Sequence, residues 1–324
     1  MSALPSVSSL AGPELVDFRR RLEARLEQAV SFADGSSGRR GRETLQAGGK
    51  RLRPLLVYLS SPLAGRGAPD LERGAAAVEL VHMASLVHDD VLDRAALRRG
   101  LPTVWATHGD AVATATGDYL FARAFAVLAE TGNAPASALL ADCALALSRG
   151  EALQKLQARR PETTPAEYLA RCTLKTGALF ATACVLGARL GGASDPGTVA
   201  ALHDYGRSLG LAFQVADDVL DCDGTPEATG KALGTDLIDG TPTLPLLLAA
   251  RDDRVVAAAL RHGVRPADVL GVLHRVGATG ALEAARAEAY RHVRAAEAAL
   301  ERLGDDFDLP ALGAVAHGVV NRDS

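Results

Sequence analysis

The chain has 324 residues, 48 % of them apolar and only 4 % aromatic, with a formal net charge of −4. That balance supplies no basic field for a nucleic acid, and a composition rich in alanine and leucine but poor in aromatics favours helix over strand. Cys143, Cys172, Cys184 and Cys222 show no zinc or disulfide spacing, the first residues lack the pattern of a signal peptide, and no apolar run reaches the ~18 residues of a membrane span, so the chain reads as soluble, cytoplasmic and without a transmembrane segment.

No Pro/Gly/Ser-rich linker divides the sequence, and a single domain over residues 1–324 is expected. In chain order, Leu15, Phe18, Leu22, Leu26 and Val30 recur at three-and-four spacing and predict an amphipathic helix over Leu15–Phe32. A glycine-rich basic break follows, closing on Gly48, Gly49, Lys50, Arg51, Leu52, Arg53 and Pro54 ahead of a helical stretch Leu55–Leu63. Such a loop is either simply solvated or an anion site, because glycine admits close backbone approach and cations add to the free N–H groups of a helix entrance. Helices are expected over Leu71–Leu92, over Ala111–Glu130 with Phe121 and Phe125 one turn apart, over Ser137–Arg159 with Glu151 and Gln154 as polar interruptions, and over Ala166–Leu190 with Lys175 and Thr176 in an apolar pattern. A lysine in that setting either snorkels outward or binds an anion. On the next expected helix, Thr198–Leu220, the residues Gln214, Asp217 and the following Asp221 share a face. The segment Asp223–Pro245, rich in Gly, Thr and Pro and carrying Lys231 and Asp236, reads as a lid or binding loop. The helices expected beyond it (Pro245–Arg251, Val255–His262, Pro266–Val276, Ala281–Leu303 and Pro310–Val319) carry no clustered polar chemistry and read as scaffold.

The pentapeptide DDVLD occurs twice, as Asp89–Asp93 and Asp217–Asp221, each time at the end of an apolar helix-like run. Asp89 and Asp93 lie one helical turn apart, so their carboxylates converge on one point, where mutual repulsion is relieved by a hard divalent cation that also binds phosphate oxygens. His82 shares the stripe of Val78, Ser85, Asp89 and Asp93, about 10 Å up the helix from Asp89, and is either a core histidine or a ligand. Arg98 and Arg99 follow closely; they can neutralise the acids, grip a diphosphate, or both.

GGKRLRP, HDDVLD followed by RRG, GDYLFARA, KTG, and FQVADDVLD followed by GKALGTDL and TLP, in this order from about residue 48 to residue 245, resemble the trans-isoprenyl diphosphate synthases of the polyprenyl synthetase family. The resemblance implies an all-α isoprenoid synthase fold, a helical bundle around a deep central cavity, in a homodimer. It implies that Asp89 and Asp93 bind Mg2+, that Asp217 is the ligand of a further ion with Asp221 in support, and that about three ions serve one site. Lys50, Arg53, His82 and Arg99 match the pocket for the diphosphate of isopentenyl diphosphate; Arg98, Lys175, Thr176, Gln214 and Lys231 match the contacts of the allylic diphosphate. One position departs: in Gly240-Thr241-Pro242-Thr243-Leu244-Pro245, Thr241 stands where the family often has lysine.

The implied reaction ionises the allylic diphosphate and adds the resulting cation to isopentenyl diphosphate, head to tail, with all-trans geometry. Product length is then set by what lines the helix above Asp89, since each turn, about 5.4 Å, admits about one isoprene unit. Ala84 and Ser85 are small, Val81 and Val78 medium, and Phe121 or Phe125 could form a floor, so products of about C30 or longer are expected, with C20 geranylgeranyl diphosphate the alternative. A class I terpene cyclase would carry another metal motif in place of the second DDxxD, and a non-catalytic partner subunit would have lost one of the two.

Overall fold

Alanine and leucine at three-and-four spacing produce helices along most of residues 12–31, 36–224 and 233–321, which the computed structural model describes. The helices are α1 (Pro13–Val30), α2 (Ser36–Gln46), α3 (Leu52–Leu59), α4 (Pro69–Leu92), α5 (Val104–His108), α6 (Asp110–Ala129), α7 (Ala134–Gln157), α8 (Pro165–Cys172), α9 (Ala178–Leu190), α10 (Pro196–Asp223), α11 (Thr235–Asp239), α12 (Leu244–Asp252), α13 (Arg254–His262), α14 (Val269–Ala278), α15 (Ala281–Leu300) and α16 (Leu309–Gly318). Several begin where capping chemistry dictates. Thr164 and Glu167 form a reciprocal capping box at α8, and the Asp195 and Asn133 side chains accept from backbone N–H groups at the starts of α10 and α7.

Helix α4 is the axis of the larger core. Leu71, Ala75, Ala76, Ala77, Val78, Leu80, Val81, Met83, Ala84 and Val87 are all buried, which covers every face, as expected of a helix walled in by others. Helices α1, α3, α6 and α9 pack against it, and α7, the first half of α10 and the end of α15 contribute to the same core. A second core joins α8, the second half of α10, α11 to α14 and the start of α15. Helices α10 and α15 thus run through both cores and tie them together. The first DDVLD ends α4 in the larger core, and the second ends α10 in the smaller one.

Several features depart from the sequence reading, beginning with α5 and with α11, which lies inside the segment read as a lid or binding loop. The glycine-rich break contains α2, with Leu45 buried, and a Cβ at Gly41 would lie 3.3 Å from Leu120 on α6; its glycines permit close helix packing as well as turns. Residues Leu97–Arg98 and Leu101–Pro102 form a two-stranded antiparallel hairpin, β1 and β2, where no strand was expected. The run read as one helix over Ala166–Leu190 is interrupted at Thr173–Gly177 by a π-helical turn. By length and composition the whole run Pro165–Leu190 could cross a bilayer, but 67 % of its most apolar window is buried inside the fold, as a core helix would be.

Candidate active site

The π turn carries the KTG motif and sits between the two acidic motifs. Its backbone is crowded on both sides, since a Cβ at Gly150 of α7 would lie 2.5 Å from Lys175 N and one at Gly210 of α10 would lie 2.8 Å from the Gly177 Cα. Only glycine fits at either place, and a π turn is a frequent device for aiming functional side chains. Lys175 Nζ lies 3.8 Å from Asp89 Oδ2 and is hydrogen-bonded to Glu151. The adjacent Thr176 hydroxyl donates to Gln214 Oε1 at 2.6 Å. Two consecutive residues therefore connect Asp89 on α4 to Gln214, one turn before Asp218 on α10.

At the first motif, Lys155 Nζ is 2.7 Å from Asp93 Oδ1 and 3.7 Å from Glu151 Oε1. Asp89, Lys175, Glu151, Lys155 and Asp93 form a chain of alternating charge. Burial pushes the Asp89 carboxyl up to about 6, against the attraction of Lys175, so this carboxylate is held in a setting that favours a counter-cation. Asp93 is the C-cap of α4, at the negative end of the helix dipole, where an acid is disfavoured unless a cation attends it. Burial lowers the proton affinity of Lys155, but its hydrogen bond to Asp93 and the fields of Asp93, Glu151 and Asp89 outweigh that and hold it above the ordinary lysine value. The middle acid, Asp90, is buried and takes Arg98, with Nε at 2.8 Å and Nη2 at 2.7 Å from Oδ1.

A basic pocket lies further up α4. Burial drives the His82 imidazole well below its usual range, and the fields of Arg53, Arg99, Arg98 and Arg51 add to the effect, so a neutral ring sits among four guanidinium groups. Arg99 reaches this place from the two-residue turn Arg99-Gly100 of the hairpin, where both residues have positive φ, 54° and 78°. A non-glycine residue there costs about 1 kcal/mol, a strain met at sites where a side chain is needed. Gly49, the second glycine of GGKRLRP, has φ 155°, and a Cβ there would lie 3.0 Å from both Arg51 Nη1 and Arg99 Nη1. Arg51 is tied to the buried Glu79 and to Glu23, each at 2.9 Å, while Arg53 lies 4.7 Å from the Phe180 ring centroid and 5.9 Å from that of Phe213. Lys50 is exposed on the same loop.

The second motif is satisfied differently. Asp218 is buried and accepts from Tyr168 OH at 2.6 Å and from Gln214 Nε2 at 2.8 Å; burial raises its carboxyl to about 7 despite these hydrogen bonds and the field of Arg171. Asp221 accepts from the backbone N–H groups of Thr235 and Asp236, each at 3.1 Å, and so caps α11 across the chain. Asp217 is half-buried one turn before Asp221. Thr241 is half-buried, and the carbonyl of its neighbour Pro242 accepts from the buried Arg171 at 2.9 Å. Lys231 lies outside the described residues.

Val78, Val81 and Ala84 are buried along α4, and Ser85 turns its hydroxyl back to the His82 carbonyl at 2.8 Å. Phe121 stacks on His88 with centroids 5.7 Å apart, and Phe125 is half-buried on the same helix, α6, which packs along α4. The sequence reading missed Lys155, Tyr168 and Arg171 as members of the site and treated Glu151 only as an interruption. Tyr168 carries one signal that could have found it: it precedes Lys175 by seven residues, about two turns, inside the same helical run.

Among the described residues no three His, Cys, Asp or Glu side chains converge to hold an ion unaided. That donor set still fits Mg2+, which binds through one or two carboxylates and completes its shell with water and substrate phosphate. The polyprenyl synthetase family profile matches residues 34–269. The heptaprenyl diphosphate synthase component 2 of Geobacillus stearothermophilus is 42 % identical over 284 residues, covering 86 % of this chain and 88 % of that protein. The short chain isoprenyl diphosphate synthase of Methanothermobacter thermautotrophicus is 36 % identical over 326 residues, covering 96 % and 99 %. A polyprenyl synthase from Caulobacter crescentus, solved with calcium and isoprenyl diphosphate, is similar with a TM-score of 0.89 and 35 % identity, over 99 % of this chain and 98 % of that one.

Proposed function

The chain belongs to the polyprenyl synthetase family, with its all-α isoprenoid synthase fold, and is a prenyltransferase; from that premise we propose that it condenses an allylic diphosphate with isopentenyl diphosphate, head to tail, in a Mg2+-dependent reaction. The observation that carries this reading is the junction at the π turn, where Lys175 meets Asp89 and Thr176 meets Gln214. It gives one allylic diphosphate a route to both acidic motifs.

In this reading Asp89, Asp93 and Asp217 would hold about three ions, with Asp221 in support and capping α11 beside them. Bound there, the ions would neutralise the charge that builds on the leaving diphosphate. Lys175, Arg98, Thr176, Gln214 and Lys231 orient that diphosphate, and the π turn presents the first cation directly at Asp89. Lys50, Arg53, His82 and Arg99 hold the diphosphate of isopentenyl diphosphate; the neutral His82 donates a hydrogen bond without adding charge to four nearby guanidinium groups. The buried walls of α4 exclude water that would quench the cation as an alcohol.

Relatives named for heptaprenyl and for short-chain products leave chain length open. We propose products of about C30 or longer, with C20 the alternative, because small side chains line α4 above Asp89 and Ser85 is tucked against its own backbone. A homodimer, as the resemblance implies, is part of the proposal; the name component 2 of the Geobacillus relative raises a second chain as the alternative partner. A cytoplasmic site of action and a single domain over 1–324 complete the proposal.

Incubation with Mg2+, farnesyl diphosphate and labelled isopentenyl diphosphate, read by product mass, tests it. Elongated diphosphates support the reading, whereas a cyclised hydrocarbon or unreacted substrate overturns it. Ser85→Phe is expected to shorten the products, and an unchanged ladder would remove α4 as the ruler.

A further inference from the structure

Lys155 has no part in the reading above, yet it occupies one of the carboxylates that reading assigns to a metal. It stands on α7 one turn after Glu151, and the two side chains meet the end of α4 together: Nζ is 2.7 Å from Asp93 Oδ1 and 3.7 Å from Glu151 Oε1. On the other side Lys175 engages Glu151 and Asp89. Three acids and two lysines leave one net negative charge where two bare carboxylates would otherwise invite a divalent ion. Asp93 closes α4 at the unfavourable end of the helix dipole, so Lys155 also makes that end tolerable.

We propose that Lys155 is a resident counter-cation which competes with divalent ions at Asp93, so that ions load together with the diphosphate and not before it. This rests on the assignment of Asp89 and Asp93 as metal ligands. A free ion must strip Lys155 from Asp93 and leave an ammonium facing a dication. An ion that arrives on a diphosphate brings anionic oxygens to which the displaced ammonium can turn, so displacement then costs less. The side chain is 44 % exposed and its stem is flexible, which permits such a swing without moving α7.

The test is direct titration of the full-length protein with Mn2+ alone, in the absence of any diphosphate, with free ion followed by electron paramagnetic resonance. Lys155→Met keeps the stem and the helix propensity while removing the charge. It is expected to bind Mn2+ roughly twofold to fivefold more tightly than the parent, a range set by the modest strength of half-exposed ion pairs. Unchanged or weaker binding in Lys155→Met overturns the proposal, the weaker case showing that the lysine assists the ion. Asp89→Ala is titrated alongside, and all three proteins again with inorganic diphosphate present: Asp89→Ala binding as tight as the parent's with diphosphate, or no binding in any of the proteins even then, overturns the metal assignment itself. A higher allylic KM in Lys155→Met with unchanged Mn2+ affinity would make Lys155 a substrate contact and also overturns the proposal.

Discussion

The two DDVLD segments are identical in sequence and close helices of similar character, but the described contacts of their carboxylates differ. In the first, charge answers charge: Lys175 at Asp89, Arg98 at Asp90 and Lys155 at Asp93. In the second, the described contacts include neutral donors, a phenol and an amide at Asp218 and two backbone N–H groups at Asp221, with the field of Arg171 behind Asp218. The difference teaches that the second copy turns Asp218 and Asp221 to the framework, while the proposed reading gives its Asp217, like Asp89 and Asp93, to the ions. Cations on flexible stems can be displaced by a competing ion, whereas a buried carboxylate fixed by tyrosine and glutamine holds its neighbours in place.

The largest expected effect comes from the mobile side. Asp89→Ala is expected to lower turnover by about a thousandfold or more, because the leaving diphosphate loses the carboxylate that places its counter-ions, while helical circular dichroism stays intact. Near-normal turnover would make the first motif structural and erase the contrast. The equivalent step at the second motif is Tyr168→Phe. It removes one of the two hydrogen bonds to the buried Asp218 and loosens Gln214 and Thr176 behind it. The allylic KM is expected to rise by about tenfold, the worth of a hydrogen bond to a buried acid, with the KM for isopentenyl diphosphate unchanged. If both constants rise together, Tyr168 acts on the fold and not on the site.

The same network yields a pH signature. The Asp218 carboxyl titrates near 7 in the fold against an ordinary value of 3.8, raised by its burial. The native state therefore keeps a proton that the unfolded chain gives up between about pH 4 and pH 7, and the contribution of Asp218 to stability falls as pH rises through that window. Asp218→Asn cannot titrate. Its melting temperature relative to the parent is expected to improve by a few degrees between about pH 5 and pH 7.5, and a flat difference in calorimetry would show Asp218 to be ionised throughout.

How much of this could be read from the chain depended on the range of the contacts. Acids one turn apart on a helix are a local pattern, and so are apolar stripes; both motifs and most helices were legible for that reason. Lys155 meets Asp93 across 62 positions and Tyr168 meets Asp218 across 50, and no periodicity reports such pairs. Helix α2 was hidden because the glycines that suggest a loop serve close packing against α6. The hairpin turn was hidden because its first residue, Arg99, adopts a left-handed conformation that turn rules reserve for Asn, Asp or Gly. Where local rules failed, the exception was an arginine at the basic pocket, as expected where function overrides propensity.

The smallest expected effect concerns the loop beside the second motif. Thr241 stands where the family often has lysine, which suggested a cation missing from the allylic pocket. The buried Arg171 lies one residue further along, bonded to the Pro242 carbonyl, and lowers the charge burden on Asp218. Its hydrogen bonds to Gln157 and Pro242 fix it in the framework, so it stabilises the loop without replacing a mobile contact. Thr241→Lys is therefore expected to lower the allylic KM by only about twofold to threefold, the worth of one half-exposed cation near a diphosphate. A larger gain would mean that the allylic pocket beside the second motif, like the first motif, relies on displaceable charge, and the contrast between Asp89 and Asp93 on one side and the fixed Asp218 and Asp221 on the other would no longer hold.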